Sequence, residues 1–241
     1  MSWSRENAAN AYLDTLKLRA QGSGRRNEAL KSVEPECNEF ISAMAAGMGA
    51  KLIVEVSPEP SQSTIALAAA ARQTGGRLVC ILPEQASTPV ASSTKEAMEE
   101  SGLNDMVEFK VGDPHQLLPE YENIDFSLVN CKSDSYRDIL KLLDVNPRRA
   151  MVVANHLGGG REGLRGDVRG VKKGAQVRSL KRAIGEGMEV TMIGRMDEGT
   201  ERKRRGGVGK RRSQDLSKSK WVKSIDEESG EEHIFRVPMS L

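Results

Sequence analysis

Aromatic side chains are scarce: two tryptophans, three tyrosines and four phenylalanines make up 4% of the 241 residues. Single-strand binding grooves need several exposed rings on which bases stack, so this scarcity argues against a stacking platform and against sequence-specific reading. Cysteine is nearly absent too. Cys37, Cys80 and Cys131 are odd in number and widely spaced, which excludes a disulfide framework or a zinc knuckle and points to a reducing compartment, each thiol being a small core residue. No window approaches the roughly 18 uninterrupted apolar residues of a membrane span, and the opening MSWSRENAAN carries no apolar signal core. The expectation is a cytoplasmic chain without membrane contact. Neither a Gly-x-x-x-x-Gly-Lys-Ser/Thr loop nor a Gly-x-Ser-x-Gly elbow occurs, which disfavours phosphate-loop and serine-hydrolase chemistry.

Charge is present but unevenly placed. The net charge of +2 divides into −7 over residues 1–147, +13 over 148–223 and −4 over 224–241, the pattern of a basic arm or face. Arg202, Lys203, Arg204 and Arg205, then Lys210, Arg211 and Arg212, form two clusters across a glycine spacer. Such clusters serve as a nuclear-import signal or a contact to nucleic-acid phosphates, or form a solvated loop. Residues 196–220 lack an apolar period and are expected to be a flexible basic insertion.

The ordered pattern is centred on residues 51–71, KLIVEVSPEPSQSTIALAAAA. Residues 51–56 form a nearly continuous branched run, as a strand buried on both faces requires. Ser61 to Thr64 supply capping chemistry before an alanine-rich helix. Ahead of this unit lie two amphipathic helices. In the first, Ser4 is the cap and Ala8, Tyr12, Leu16 and Ala20 recur at helical spacing; in the second, Phe40, Ile41, Met44, Ala45 and Met48 share one side. Further strands are expected at residues 77–82, 107–111, 124–129, 150–154 and 188–193. Helices are expected at 94–102 and at 133–143, the latter capped by Ser133, and one after Ala175. Trp221 to Ile225 and His233 to Val237 read as a terminal hairpin that completes the sheet.

Alternation of strands and helices predicts an α/β fold with a doubly wound, mostly parallel sheet and antiparallel C-terminal strands. The spatial order expected is third, second, first, fourth, fifth, then the terminal pair, with residues 1–195 and 221–241 in one domain. Ligands of such sheets bind at the carboxyl ends of the strands.

This order, a helix before the first strand, five alternating units and an antiparallel finish, resembles the seven-stranded Rossmann-like fold of S-adenosylmethionine-dependent methyltransferases, in particular the catechol and caffeoyl-coenzyme A O-methyltransferases. WSRENAANAYLDTLK and GEEHIFRV also resemble a plant family of uncharacterised proteins sharing that fold. The resemblance places Glu55 where the family has the acid ending its first strand. Ser57 and Ser61 then stand in place of the cofactor-cradling glycines, within SPEPS. Pro58 and Pro60 offer no N–H, and serine resists the positive φ that glycine accepts. Glu84 is the nearest acid to the ribose position after the second strand, and Gly112 and Asp113 fall in the adenine turn. Asn130 and Ala154 occupy positions of metal-binding acids, with only Asn155 matching; Lys132 adds positive charge. The resemblance therefore implies S-adenosylmethionine binding that is weak or absent, and no metal. Asp134 and His156 lie near the lost ligands and offer an alternative site; the histidine could equally be satisfied within its own turn. Three functions remain open: a methyltransferase-like protein of altered chemistry, an inactive small-molecule or protein-binding domain, and a nucleic-acid-associated protein acting through its basic segment.

Overall fold

The computed structural model describes residues 3–23, 35–84, 89–132, 134–158, 160–164, 171, 175–182, 184–195, 219–225 and 232–238. The chain divides into two units, residues 1–196 and 197–241. In the first, helices α1 (Arg5–Ser23) and α2 (Pro35–Gly47) precede β1 (Leu52–Val56), α3 (Gln62–Thr74), β2 (Arg77–Leu82), α4 (Pro89–Glu100), β3 (Val107–Val111), α5 (Pro114–Leu117), β4 (Phe126–Asn130), α6 (Tyr136–Leu142), β5 (Arg149–Asn155), β6 (Ala175–Arg182) and β7 (Met188–Arg195). They build a seven-stranded sheet of order β3-β2-β1-β4-β5-β7-β6. The first five strands pair in parallel, and β7 pairs antiparallel with both β5 and β6. The α/β, mostly parallel sheet with antiparallel C-terminal strands is as expected.

Burial is continuous along β1 from Ile53 to Val56 because both faces are covered. Ile53 packs with α2 and α3 residues such as Ile41 and Leu67, whereas Val54 belongs to the opposite layer with Ile139 and Leu140 of α6. Neither strand face reaches water, hence the branched run without polar alternation. Ala66, Ala68, Ala69, Ala70 and Ala71 of α3 are all fully buried. Their small side chains let the sheet and two helices approach α3 closely, and this also explains α1. There Ala11 and Thr15 face inward, Ser42 of α2 donates to the Ala11 carbonyl at 3.3 Å, and Tyr12 is 43% exposed. The expected inward face of α1 is thus corrected by one helical step: a tight interface selects alanine and leaves the ring outside. In α6, Tyr136, Ile139, Leu140 and the following Leu143 are buried as expected; the expected cap is corrected, because the helix begins at Tyr136 and Ser135 holds the N-cap position, while Ser133 lies outside the described residues.

The αL backbone that ends α3 belongs to Gly75, at φ +59°, whose N–H caps the carbonyls of Ala71 and Arg72. An L-residue there resists the left-handed conformation. Gly75→Ala should lower the unfolding free energy by about 1 kcal/mol, read as a shift in urea midpoint at constant slope.

Two expectations are corrected at the sheet's far edge. Residues after Ala175 form β6, not a helix, because the connection 183–187 is too short for a parallel crossover and returns the chain as a hairpin against β7. Gly185 at φ +59° and Gly187 at φ +92° make the reversal. The antiparallel finish consequently consists of β7 and β6, not of the terminal pair. In the second unit β8 (Ser219–Ile225) and β9 (Glu232–Pro238) pair with each other in a separate two-stranded sheet, Val222 opposite Phe235. Residues 196–218, and with them both basic clusters, lie outside the described residues.

Candidate functional site

β1 is flanked by β2 on one side and β4 on the other, so the chain leaves in opposite directions from two adjacent parallel strands. This reversal opens the ligand crevice of doubly wound sheets. Glu55 sits one residue before the end of β1 and is fully buried. Its carboxyl accepts from Ser63 Oγ at 2.5 Å and from the Cys80 thiol at 3.5 Å, which ties β1 to α3 and β2. Burial raises its pKa above the ordinary 4.5, with the hydrogen bonds from Ser63, Thr64 and Cys80 working in the opposite direction. Among the described residues no ion pair accompanies those bonds. The Cys80 thiol is in turn held neutral by burial and by the neighbouring acid.

The two serines in the glycine positions are committed to their own turn. Ser57 donates its N–H to Ile81 O at 3.3 Å and its hydroxyl to Glu59 O at 2.8 Å. Ser61, in extended conformation, is the N-cap of α3: its hydroxyl accepts from Ser63 N, and its own N–H is taken by Thr64 Oγ1 at 3.0 Å. This reciprocal capping box satisfies donors that would otherwise meet an anion. Pro60 is buried, and its carbonyl accepts from Thr94 Oγ1 at 3.3 Å.

Farther along the same edge, Glu84 is exposed just beyond β2. Gly112 follows β3 with φ +152°, and its N–H bonds to Leu82 O at 2.9 Å. Asp113 caps the short α5, accepting from His115 N and facing His115 Nδ1, both at 2.9 Å. Those contacts hold its carboxyl below the usual aspartate range. Glu55, Ser57 and Ser61 are therefore gathered at the β1–α3 turn, while Gly112 and Asp113 lie two strands away and Glu84 between them.

On the other side of the crevice Asn130 and Asn155 are register neighbours on β4 and β5. Asn130 Oδ1 accepts from Lys132 N at 3.0 Å, and the Lys132 ammonium faces Glu186 at 3.8 Å. Asn155 is 6% exposed, its Oδ1 buried without a hydrogen-bond partner among the described residues. His156 has φ +60°, and the Asp134 side chain is fully exposed, 3.8 Å from Arg161. Among the described residues no three His, Cys, Asp or Glu side chains are grouped to hold a metal ion.

The segment after β5 closes over these strand ends. Arg161 Nη1 donates to Cys131 O at 2.7 Å, and the Tyr136 hydroxyl donates to Glu162 O at 2.9 Å while accepting from Glu162 N at 3.1 Å. Leu157 and Leu164 are buried beneath it. Burial pushes the Cys131 thiol up to about 12. Under this strap lies an acid that sequence reasoning missed. Glu189 of β7 is 5% exposed, opposes Ala154 across the antiparallel pair and accepts from Thr191 Oγ1 at 3.4 Å. A Cβ on Gly163 would fall 2.3 Å from its carboxylate oxygen, so glycine is needed for the strap to lie down. Alternation in MEVT reads as a polar face of Glu189 and Thr191; the strap covers Glu189, and Thr191, 1% exposed, pairs with Ser179 of β6 at 2.8 Å. An acid at position 154 would stand directly opposite Glu189, where like charges repel.

Glu55 is thus sealed inward, and the hydroxyls of Ser57 and Ser61 are already bonded within their own turn. No helix among the described residues is long and apolar enough to cross a membrane.

Solved structures share the fold. The S-adenosylhomocysteine-bound methyltransferase PaMTH1 of Podospora anserina is 19% identical, with 76% of this chain and 88% of that one covered at a TM-score of 0.52. The O-methyltransferase TomG of Streptomyces achromogenes, in complex with S-adenosylmethionine, is 21% identical over 80% and 99% of the two chains, TM-score 0.51. A methyltransferase from Geobacter sulfurreducens is 16% identical over 74% and 96%, TM-score 0.52. At such identity the likeness establishes the Rossmann-like methyltransferase architecture. No curated protein matches the chain. A family model described as a protein of unknown function, DUF1442, matches residues 1–237, and the chain belongs to that family.

Proposed function

We propose that this chain is a methyltransferase-like protein that has given up metal-assisted methyl transfer and works as a binding domain, with S-adenosylmethionine held weakly or not at all. The observation that carries this reading is the inward locking of Glu55: an acid 0% exposed and bonded to Ser63 and Cys80 presents no carboxylate to a ligand. Ser57 and Ser61 support it, because a hydroxyl already paired must break that bond before it can hold a cofactor. The Asn130 and Ala154 positions support the loss of the metal step, since amide and methyl groups bring no charge to balance a divalent ion. What remains for a small ligand is the outer part of the crevice, with Glu84 and the Gly112–Asp113 turn.

Calorimetric titration with S-adenosylmethionine and S-adenosylhomocysteine tests the reading. The expected Kd for either is weaker than about 0.1 mM, less than about 6 kcal/mol of binding free energy, with no magnesium-stimulated methylation of a catechol. Micromolar binding that disappears in Glu84→Ala would overturn it.

A second reading follows from the +13 charge over residues 148–223: association with nucleic acid through Arg202, Lys203, Arg204, Arg205, Lys210, Arg211 and Arg212, and with it entry into the nucleus. Phosphate contacts of this kind are salt-dependent and indifferent to sequence.

A further inference from the structure

β6 is the outermost strand of the seven-stranded sheet, and among the described residues β7 is its only strand neighbour. A free edge invites pairing with another chain, and charge is one of the means by which proteins blunt it. Here the charge is all of one sign. Arg178, Lys181 and Arg182 are exposed, and among the described residues none of them enters an ion pair. Arg178 makes one polar contact, to Gln176 Oε1 at 3.4 Å. The described acids of β7 and of the turn before it are committed elsewhere: Glu189, opposite Lys181, is buried under the strap, and Glu186 faces Lys132. Strand alternation puts Arg178, Leu180 and Arg182 on one face, opposite Met192, Val190 and Met188 of β7.

We propose that this edge is a contact surface for the phosphate backbone of duplex nucleic acid, independent of base sequence. Four residues of strand separate Arg178 from Arg182 by roughly 13 Å, close to the ~12 Å width of a B-form major groove, so the two guanidinium groups suit phosphates on its opposite banks. Guanidinium matches a phosphate with two parallel donors. Leu180 between them, 44% exposed, offers no ring for a base to stack on, so the surface suits the backbone and not unpaired bases. A second copy is a poorer occupant, because edge-to-edge pairing would bring arginines and lysines from both strands together.

This goes beyond the contact proposed for the 202–212 clusters, and the test separates the two. Full-length protein with all seven cluster residues changed to Gln is titrated by fluorescence anisotropy into a labelled 20-base-pair DNA at 50 to 200 mM salt. It should still bind, and adding Arg178→Gln and Arg182→Gln should flatten the slope of log K against log salt by about 1.8, at ~0.9 per phosphate contact. The affinity lost between those two salt concentrations would then shrink by about tenfold. A charge-matched control, Lys17→Gln with Arg148→Gln, both exposed elsewhere, should keep the parent slope. Absence of binding in the cluster-free protein, an unchanged slope in the β6 variant or an equal change in the control each overturns the proposal. So does preference for a single strand over the duplex, or a salt-insensitive dimer dispersed by Leu180→Lys, which would assign the edge to a second copy.

Discussion

Asp125→Ala is expected to lower the unfolding free energy by about 3–5 kcal/mol, the largest effect of any single polar substitution in the sheet. Asp125 precedes β4 and is 6% exposed. One carboxylate oxygen accepts from the backbone N–H groups of Lys51 and Leu52 at 2.8 and 3.2 Å, and the other from Asn146 Nδ2 at 2.8 Å. Its backbone does the same work: Asp125 N–H donates to Leu52 O, and Asp125 O accepts from Met151 N–H. Hydrogen bonds to a charged acceptor contribute about 1.5–3 kcal/mol each, and removing the acceptor strands the donors it served. This one residue sets where β4 starts between β1 and β5, and so fixes which residues reach the opposite, carboxyl end of the sheet. Asp125→Asn keeps the shape and part of the accepting capacity, and should cost less than half as much. Urea unfolding checks both, with a displaced midpoint and unchanged slope as the expected signature. A cost below about 1 kcal/mol for alanine would show that water replaces the carboxylate.

Glu55→Gln should do the reverse, stabilising the protein as pH rises. The folded-state pKa of Glu55 lies above its ordinary 4.5 because burial disfavours the charge. Below pH 4.5 the folded and unfolded chains both hold the proton, and the contribution of Glu55 is fully present. Above pH 4.5 the unfolded chain releases the proton while the folded chain keeps it, so stability falls until pH passes the folded value. Glutamine keeps an acceptor for Ser63 and carries no titrating proton. The variant minus parent difference should therefore grow from pH 4.5 upward, reaching about 2 kcal/mol, the penalty for a desolvated charged group only partly offset by its hydrogen bonds. Exposed groups with lowered pKa, Asp113 and Glu108, are common to both proteins and cancel in that difference. Thermal unfolding between pH 4 and 8 reads it directly. A difference that is flat or shrinks with pH would mean that Glu55 is ionised in the native state and faces a cation or a ligand. That result would also remove the main support for the binding-domain reading.

Much of the first unit is legible residue by residue because its signals are local. The branched run of β1, the serine and threonine that cap α3, the glycine that ends it, and the 3.6-residue spacing of Tyr136, Ile139, Leu140 and Leu143 each act within a few positions along the chain. Repeated, they lead to alternating strands and helices, and the crossover rule then leaves the order of the first five strands little freedom. The same locality makes the turn SPEPS legible, its serines bonded to their own turn and its prolines without N–H groups.

What the chain alone left open are matters of who lies next to whom. Glu55 stands in the expected position, yet its direction was decided by Ser63 and Cys80 from neighbouring elements. Glu189 reads as a solvated residue of an alternating strand and is buried because a strap from after β5 crosses it. Val177 and Leu180, three apart, suit a helix as readily as a strand, and pairing with β7 settled the matter. The terminal hairpin has sound strands but pairs only with itself among the described residues. Capping, turn chemistry and periodicity are energies of neighbours in sequence, so the sequence by itself determined the first five strands, the helices between them and their order. Burial of a polar side chain, the choice of helix face and the identity of an edge strand are energies of contacts between distant residues, and only the tertiary structure decided those.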